Sequence, residues 1–269
     1  MNLTTRAISI LLIAITTTLY ASKTEIKSSK ETFVLVHSAW LGAWQWQNVT
    51  EYLTQKGHQV IVPDLPGHGQ DNTAPKDITM SDYIKKITSI IDQQDQKIIL
   101  VGHSFNGITI SQIAELRPKK IKSLVYLTAF LLPNGGSFFK AVSGVNGSQA
   151  VENFYLSEDQ TYALVAEDAL HSAFAHDISE SDFNKDKQLI VPEPAAPLAY
   201  ELKLSAKNFG KLPKYYIECT EDRAIPIAVQ RAMYKDQVVK SYSLKSSHTP
   251  NFSQPKKLAK LLVKISKKH

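Results

Sequence analysis

Four short runs, "TFVLVH" (32–37), "HQVIVPD" (58–64), "KIILVG" (97–102) and "IKSLVYL" (121–127), are almost continuously apolar and rich in β-branched residues. A strand with one wet face alternates polar with apolar residues, whereas a strand that is apolar throughout is covered on both faces. Helical patterns around Trp44 to Lys56, around Met80 to Gln93 and from Ser104 towards Leu116 stand between these runs and can supply the cover. The spacing therefore predicts an α/β fold, with a mostly parallel central sheet and helices on both faces. The alternation resumes late in the chain with "KYYIEC" (214–219), a helix around Ile227 to Tyr234, "VVKSYSL" (238–244) and a last helix from Gln254.

From about Leu132 to Leu204 the rhythm breaks into a helical and polar stretch with no strong strand. A long interruption between strands of one continuing sheet predicts a mainly helical cap over the sheet's carboxyl edge, where ligands bind in such folds. The core is then split into 32–131 and 206–269, with the cap at 132–205. At the other end, Arg6, an apolar run from Ala7 to Leu19, and small residues at Ala21 and Ser22 have the layout of a secretory signal over residues 1–21. That run is shorter than the roughly 20 residues of a membrane span. The expectation is an exported protein, periplasmic or secreted, with a polar linker over 22–31 and no membrane span once the signal is removed.

With 269 residues, 43% of them hydrophobic, the chain can bury a large core, and disordered or collagen-like classes are excluded. Its single cysteine, Cys219, cannot pair within the chain and sits in an apolar run, as a buried, inert thiol would. No Cys/His cluster has zinc spacing, so neither a metal nor another cofactor is expected. Much of the net charge of +6 lies in "PKKLAKLLVKISKKH", where Leu258, Leu261, Leu262 and Ile265 recur at helical spacing between lysines. This is the pattern of an amphipathic final helix with a solvated lysine face. No nucleic-acid motif accompanies the charge, and no nucleic-acid partner is expected.

The chemistry is concentrated at "LVGHSFNG" (100–107), where Ser104 follows a strand and opens a helix. In that setting a serine stands in a strained turn with its hydroxyl above the sheet, and the helix N-terminus favours developing negative charge. Asn106 occupies a place usually held by glycine. A serine hydroxyl needs a base to take its proton and a carboxylate to orient the base, in the chain order Ser, Asp or Glu, His. His37, His58, His68 and His103 precede the serine, His171 and His176 fall in the cap and His269 is terminal. His248, in a loop before the last helix, remains. Glu221 and Asp222, in "TEDRAIP", both stand where the acid is required. Oxyanion donors are expected from the backbone N–H groups of Phe105 and Ala39.

"FVLVHSAWLGAWQW", "VIVPDLPGHG", "LVGHSFNG", "YYIECTEDRAIPIAVQRAM" and "SHTPNFSQPKKLAKLL" together resemble the α/β-hydrolase branch that contains plant methylesterases, salicylic acid-binding proteins, hydroxynitrile lyases and bacterial esterase relatives. The resemblance implies the α/β-hydrolase fold, a nucleophile at Ser104, an acid at Asp222 rather than Glu221, a base at His248, and oxyanion donors at Ala39 and Phe105. Asp64 and His68 then belong to a structural loop. The pocket is expected to involve Ser38, Trp40, Phe105, Phe130 and Leu131, with Phe138 or Phe154 from the cap. Ser38 has a loop-stabilising role as its alternative. Hydroxynitrile lyases of this branch carry a lysine after the base and a threonine in the first loop, where this chain has Thr249 and Ser38. A neutral threonine lacks the cation that departing cyanide requires. The implied activity is hydrolysis of a small, largely apolar ester through an acyl-enzyme, with lyase activity or ligand binding without turnover as alternatives.

Overall fold

A computed structural model describes residues 30–268. The signal and most of the linker expected at the N-terminus lie outside the described residues. In chain order the first half of the core comprises β1 (Thr32–Val36), α1 (Gln47–Gln55), β2 (Gln59–Ile61), α2 (Met80–Asp92), β3 (Ile98–His103), α3 (Gly107–Leu116) and β4 (Ile121–Leu127). The cap region follows with α4 (Phe138–Val142), α5 (Gln149–Glu152), β5 (Phe154–Leu156), β6 (Tyr162–Val165), α6 (Leu170–Phe174), α7 (Glu180–Asp186), β7 (Glu193–Pro194) and α8 (Ala195–Leu198). The core resumes with β8 (Lys214–Cys219), α9 (Ile227–Tyr234), β9 (Lys240–Leu244), α10 (Pro250–Ser253) and α11 (Pro255–Ser266).

The main sheet has the order β2-β1-β3-β4-β8-β9, and every pairing in it is parallel. Strand periodicity divides its residues between two cores. Val34, Val36, Leu100, Leu124 and Tyr126 pack with Tyr83 and Ile87 of α2 and Ile110 and Ile113 of α3. Phe33, Leu35, Ile99, Val101, Val125 and Ile217 pack with Val49 and Leu53 of α1 and with Leu258, Leu262 and Ile265 of α11. The amphipathic tail is thus a core helix whose fourth apolar residue, Leu261, is half-buried at the edge.

The cap contains short helices and, in addition, the antiparallel sheet β5-β6-β7, which the sequence pattern did not mark. Strands of two to four residues are too short to display a period. Among the described residues no helix is long and apolar enough to cross a membrane. The chain leaves β1 in one direction for β2 and returns past it to β3. Such a reversal is where ligands bind in open α/β sheets, and two of the loops that form the candidate site follow the carboxyl ends of β1 and β3.

Candidate active site

Ser104 directly follows β3 with φ +57, a left-handed conformation that costs a non-glycine residue roughly 1–2 kcal/mol. The turn is held by close approach and by hydrogen bonds. A Cβ on Gly102 would lie 2.8 Å from the Asn106 carbonyl oxygen, and one on Gly107 would lie 2.6 Å from the Phe130 carbonyl oxygen. The Phe130 N–H donates to the Ser104 carbonyl at 3.0 Å. The tight contact with the β4 loop thus falls on Gly107, which leaves room for a side chain at Asn106. Its Nδ2 donates to the His37 carbonyl at 2.7 Å and its Oδ1 accepts from the Thr109 hydroxyl at 2.6 Å. The asparagine joins the serine turn to the loop after β1.

Asp222 and His248 emerge from the loops after β8 and β9 and meet in the interior. His248 Nδ1 lies 2.7 Å from Asp222 Oδ2. Asp222 Oδ2 also accepts from the Thr128 hydroxyl, and Oδ1 accepts from the N–H groups of Ala224 and Ile225 at 2.7 and 2.9 Å. With the carboxylate as acceptor, the proton sits on Nδ1 and the lone pair of a neutral ring on Nε2. Nε2 is buried and makes no hydrogen bond among the described residues. Glu221, the other acid of the pair, is more exposed and faces Lys245 at 3.5 Å. Phe174 from the cap packs on the His248 ring at 5.5 Å between centroids.

The loop after β1 is fixed almost atom by atom. Gln45 Oε1 accepts from the Ser38 N–H at 3.1 Å and stands 3.1 Å from the Ser38 hydroxyl. The other end of Gln45, Nε2, lies 3.0 Å from His103 Nδ1, and His103 Nε2 lies 2.8 Å from the His248 carbonyl oxygen. A carbonyl only accepts, so Nε2 donates, Nδ1 accepts from Gln45 and the His103 ring is neutral. Burial, followed by the neighbouring His248, pushes His103 well below the usual histidine range, in agreement with that assignment. In the same loop the N–H of Ala39 has no hydrogen-bond partner among the described residues, although Ala39 is buried. Phe105 carries one of the first N–H groups of a helical turn, which lack intrahelical acceptors.

Two cavities meet at Trp40 and Phe174, whose rings are 5.7 Å apart. The one containing Ser104 has a volume of about 30 Å³ and is walled by Trp40, Phe130, Phe138, Phe154 and Phe174. The other, about 290 Å³, touches Ser38, Ala39, Thr249 and Phe252. Leu131, expected at the pocket, is fully buried in the core and lines neither cavity. Ser38 borders only the larger cavity, and its hydroxyl is engaged within its own loop by Gln45 and the Ala39 carbonyl. Phe105 is buried against Phe138, behind the wall of the Ser104 cavity. The sequence reading did not mark Gln45, Phe174 or Glu193, and it assigned His103 no role. Their side chains carry no motif, and each acts through a partner distant in the chain.

A parallel sheet covered on both faces, a left-handed serine after its central strand and an Asp–His pair from its last loops define a hydrolase of the α/β class. The profile of the alpha/beta hydrolase family matches residues 33–261, and the chain belongs to that family. It is similar to putative methylesterase 11, chloroplastic, of Arabidopsis thaliana, with 35% identity over 251 residues that cover 87% of this chain and 64% of the relative. It therefore spans just under two thirds of that relative's length. With methylesterase 7 of Arabidopsis thaliana it shares 32% identity over 90% of this chain and 99% of the relative. Among solved structures, a pyrethroid hydrolase from Sphingobium faniae JZ-2 superposes with a TM-score of 0.82 at 26% identity, covering 89% of this chain and 98% of that one. Polyneuridine aldehyde esterase superposes with a TM-score of 0.79 at 26% identity, covering 88% and 99%.

Proposed function

We propose that the protein is a serine carboxylesterase acting on small, largely apolar esters. Ser104 attacks the ester carbonyl carbon while its proton passes to His248 Nε2. The carbonyl oxygen, now an oxyanion, accepts from the N–H groups of Ala39 and Phe105. Collapse of this intermediate breaks the bond to the alcohol, which leaves with the proton from His248, and an acyl group stays on Ser104. Water then repeats the two transfers and releases the acid. Asp222 holds the ring in the required tautomer and stabilises the imidazolium.

The observation that carries this function is the pairing of Asp222 with His248 at 2.7 Å, which leaves a buried, unpaired Nε2 as base. The apolar walls around Ser104 favour hydrocarbon substituents on the ester. At the position after the base, the Thr249 hydroxyl donates to the Phe174 carbonyl at 2.8 Å and supplies no cation for cyanide release. In Ser104→Ala, turnover of p-nitrophenyl acetate should fall by about 10⁴-fold or more with the circular dichroism spectrum retained. Wild-type turnover in that variant would remove the esterase function. Export belongs to the same proposal and rests on the sequence pattern of residues 1–21. A mature N-terminus at Ser22, read by mass spectrometry after expression in a bacterium with an envelope, supports it, and retention of the intact leader in the cytoplasm overturns it.

A further inference from the structure

Trp40 has φ +63, and three cap residues hold it there. Its N–H donates to Glu193 Oε2 at 3.1 Å, its carbonyl accepts from the Val191 N–H at 2.9 Å, and its indole N–H donates to the Ala163 carbonyl at 2.9 Å. A bulky residue persists in such a conformation only where its surroundings over-determine it. Glu193 is fully buried, and core groups occupy the rest of its carboxylate. The Tyr83 hydroxyl donates to Oε1 at 2.9 Å, and His68 Nε2 lies 2.9 Å from Oε2. The second nitrogen of His68 faces the Pro66 carbonyl at 3.0 Å, so both ring nitrogens address acceptors. An imidazolium facing an ionised carboxylate satisfies both.

We propose that Glu193 is a positioning residue for the oxyanion loop, and that the Ala39 donor is correctly aimed only while the cap is seated through this carboxylate. The peptide plane on one side of Ala39 is fixed by His37 Nδ1, which donates to the Ser38 carbonyl at 2.8 Å. The plane on the other side is held by the bond from Trp40 N–H to Glu193 and by the Ser38 hydroxyl, 3.2 Å from the Ala39 carbonyl. The His37 and His68 rings are 4.9 Å apart, so both supports run into the same buried cluster. Loss of the Glu193 carboxylate loosens the second plane and lets Trp40 leave its left-handed conformation; it also removes the partner of His68, whose ring packs on the His37 ring that holds the first plane, and so turns the Ala39 N–H away from the position of the oxyanion. Trp40 also walls the Ser104 cavity, and its indole bond to the Ala163 carbonyl, which a change at Glu193 leaves in place, keeps that wall where the substrate binds.

This role rests on the esterase function proposed above, and the test separates the two. Glu193→Gln, Tyr83→Phe, Ser104→Ala and the wild type are compared for kcat and KM on p-nitrophenyl acetate, for inhibition by phenylboronic acid, and for thermal unfolding. The boronic acid forms a tetrahedral adduct on a nucleophilic serine and so reports the oxyanion hole. In Glu193→Gln, kcat should fall about tenfold and the boronate inhibition constant rise by the same factor, with KM within about twofold, a smaller loss than outright removal of a donor causes. Tyr83→Phe keeps the ion pair but removes one donor, and should move kcat and boronate affinity in the same direction by about threefold. The proposal is overturned if both quantities stay at wild-type values, if KM carries the change, or if kcat falls only as the folded fraction falls. Should Glu193→Gln not fold, Tyr83→Phe decides by the same criteria. If Ser104→Ala keeps wild-type turnover, it is the esterase function that fails.

Discussion

Asn106→Gly restores the glycine more common in serine turns of this type, yet it should damage the protein. The wild-type side chain is buried and makes hydrogen bonds of 2.7 Å to the His37 carbonyl and 2.6 Å from the Thr109 hydroxyl. Each bond contributes a net of about 1 kcal/mol, and a buried acceptor left without a donor costs about 1–3 kcal/mol more. Thr109 retains a contact of 3.5 Å to Met80 Sδ, so the uncompensated loss falls mainly on the His37 carbonyl. The sum is a destabilisation of roughly 3–5 kcal/mol. The same bond orients the loop that carries Ala39, so kcat/KM should fall by about tenfold, less than removal of a donor would cause. Urea unfolding gives the stability change from the midpoint at constant slope, and p-nitrophenyl acetate hydrolysis gives the rate. Stability within about 0.5 kcal/mol of wild type together with unchanged kcat/KM would refute the reasoning, because surface-like behaviour is incompatible with two buried hydrogen bonds.

Asp222→Asn should reduce kcat by about 10³- to 10⁴-fold with little change in KM, since an amide can donate to Nδ1 and stabilise the wrong tautomer; steady-state kinetics with folding checked by circular dichroism measures it. Stability should decline on the acid side of about pH 6.5, because burial, followed by His68, lowers His37 to about 3 and burial lowers His103 as well. Histidines with depressed native pKa values take up protons in the unfolded chain first, so unfolding becomes easier as pH falls, by up to about 1.4 kcal/mol per pH unit for each group; urea midpoints between pH 7.5 and 5 report the slope, and a flat profile contradicts it. His68 acts in the opposite sense. Burial alone would lower its pKa, but Glu193 and the Pro66 carbonyl more than offset this and raise it, so the stability it contributes is complete below about pH 6.5 and is lost as pH rises through the raised value. The groups facing it are Glu193, Tyr83, His37 and Asp64, and His68→Gln should flatten the alkaline side of the same urea profile. Val142 lines the Ser104 cavity, so Val142→Phe should lower kcat/KM for p-nitrophenyl butyrate several-fold more than for the acetate; equal effects on both would place the acyl chain elsewhere.

The sequence by itself determined the layers of the fold and the order of the candidate catalytic residues. Strands such as "KIILVG" are apolar on both faces, and only a sheet buried on both sides accommodates them. Ser104, His248 and the pair Glu221 and Asp222 could be singled out because the loops after parallel strands all emerge at one edge, which turns order along the chain into proximity in space. The choice between Glu221 and Asp222 was not legible from composition, since adjacent residues in a turn differ only in direction. Family resemblance favoured Asp222, and in the folded chain that side chain points inward to four donors while Glu221 faces Lys245. Tertiary structure alone decided the second layer of the site. Glu193 lies 125 residues from His68 and 153 from Trp40, and Gln45 lies 58 from His103. These partners share no local period or spacing. They are selected because a polar group buried by packing must find a partner, and only the folded chain specifies which one lies within reach.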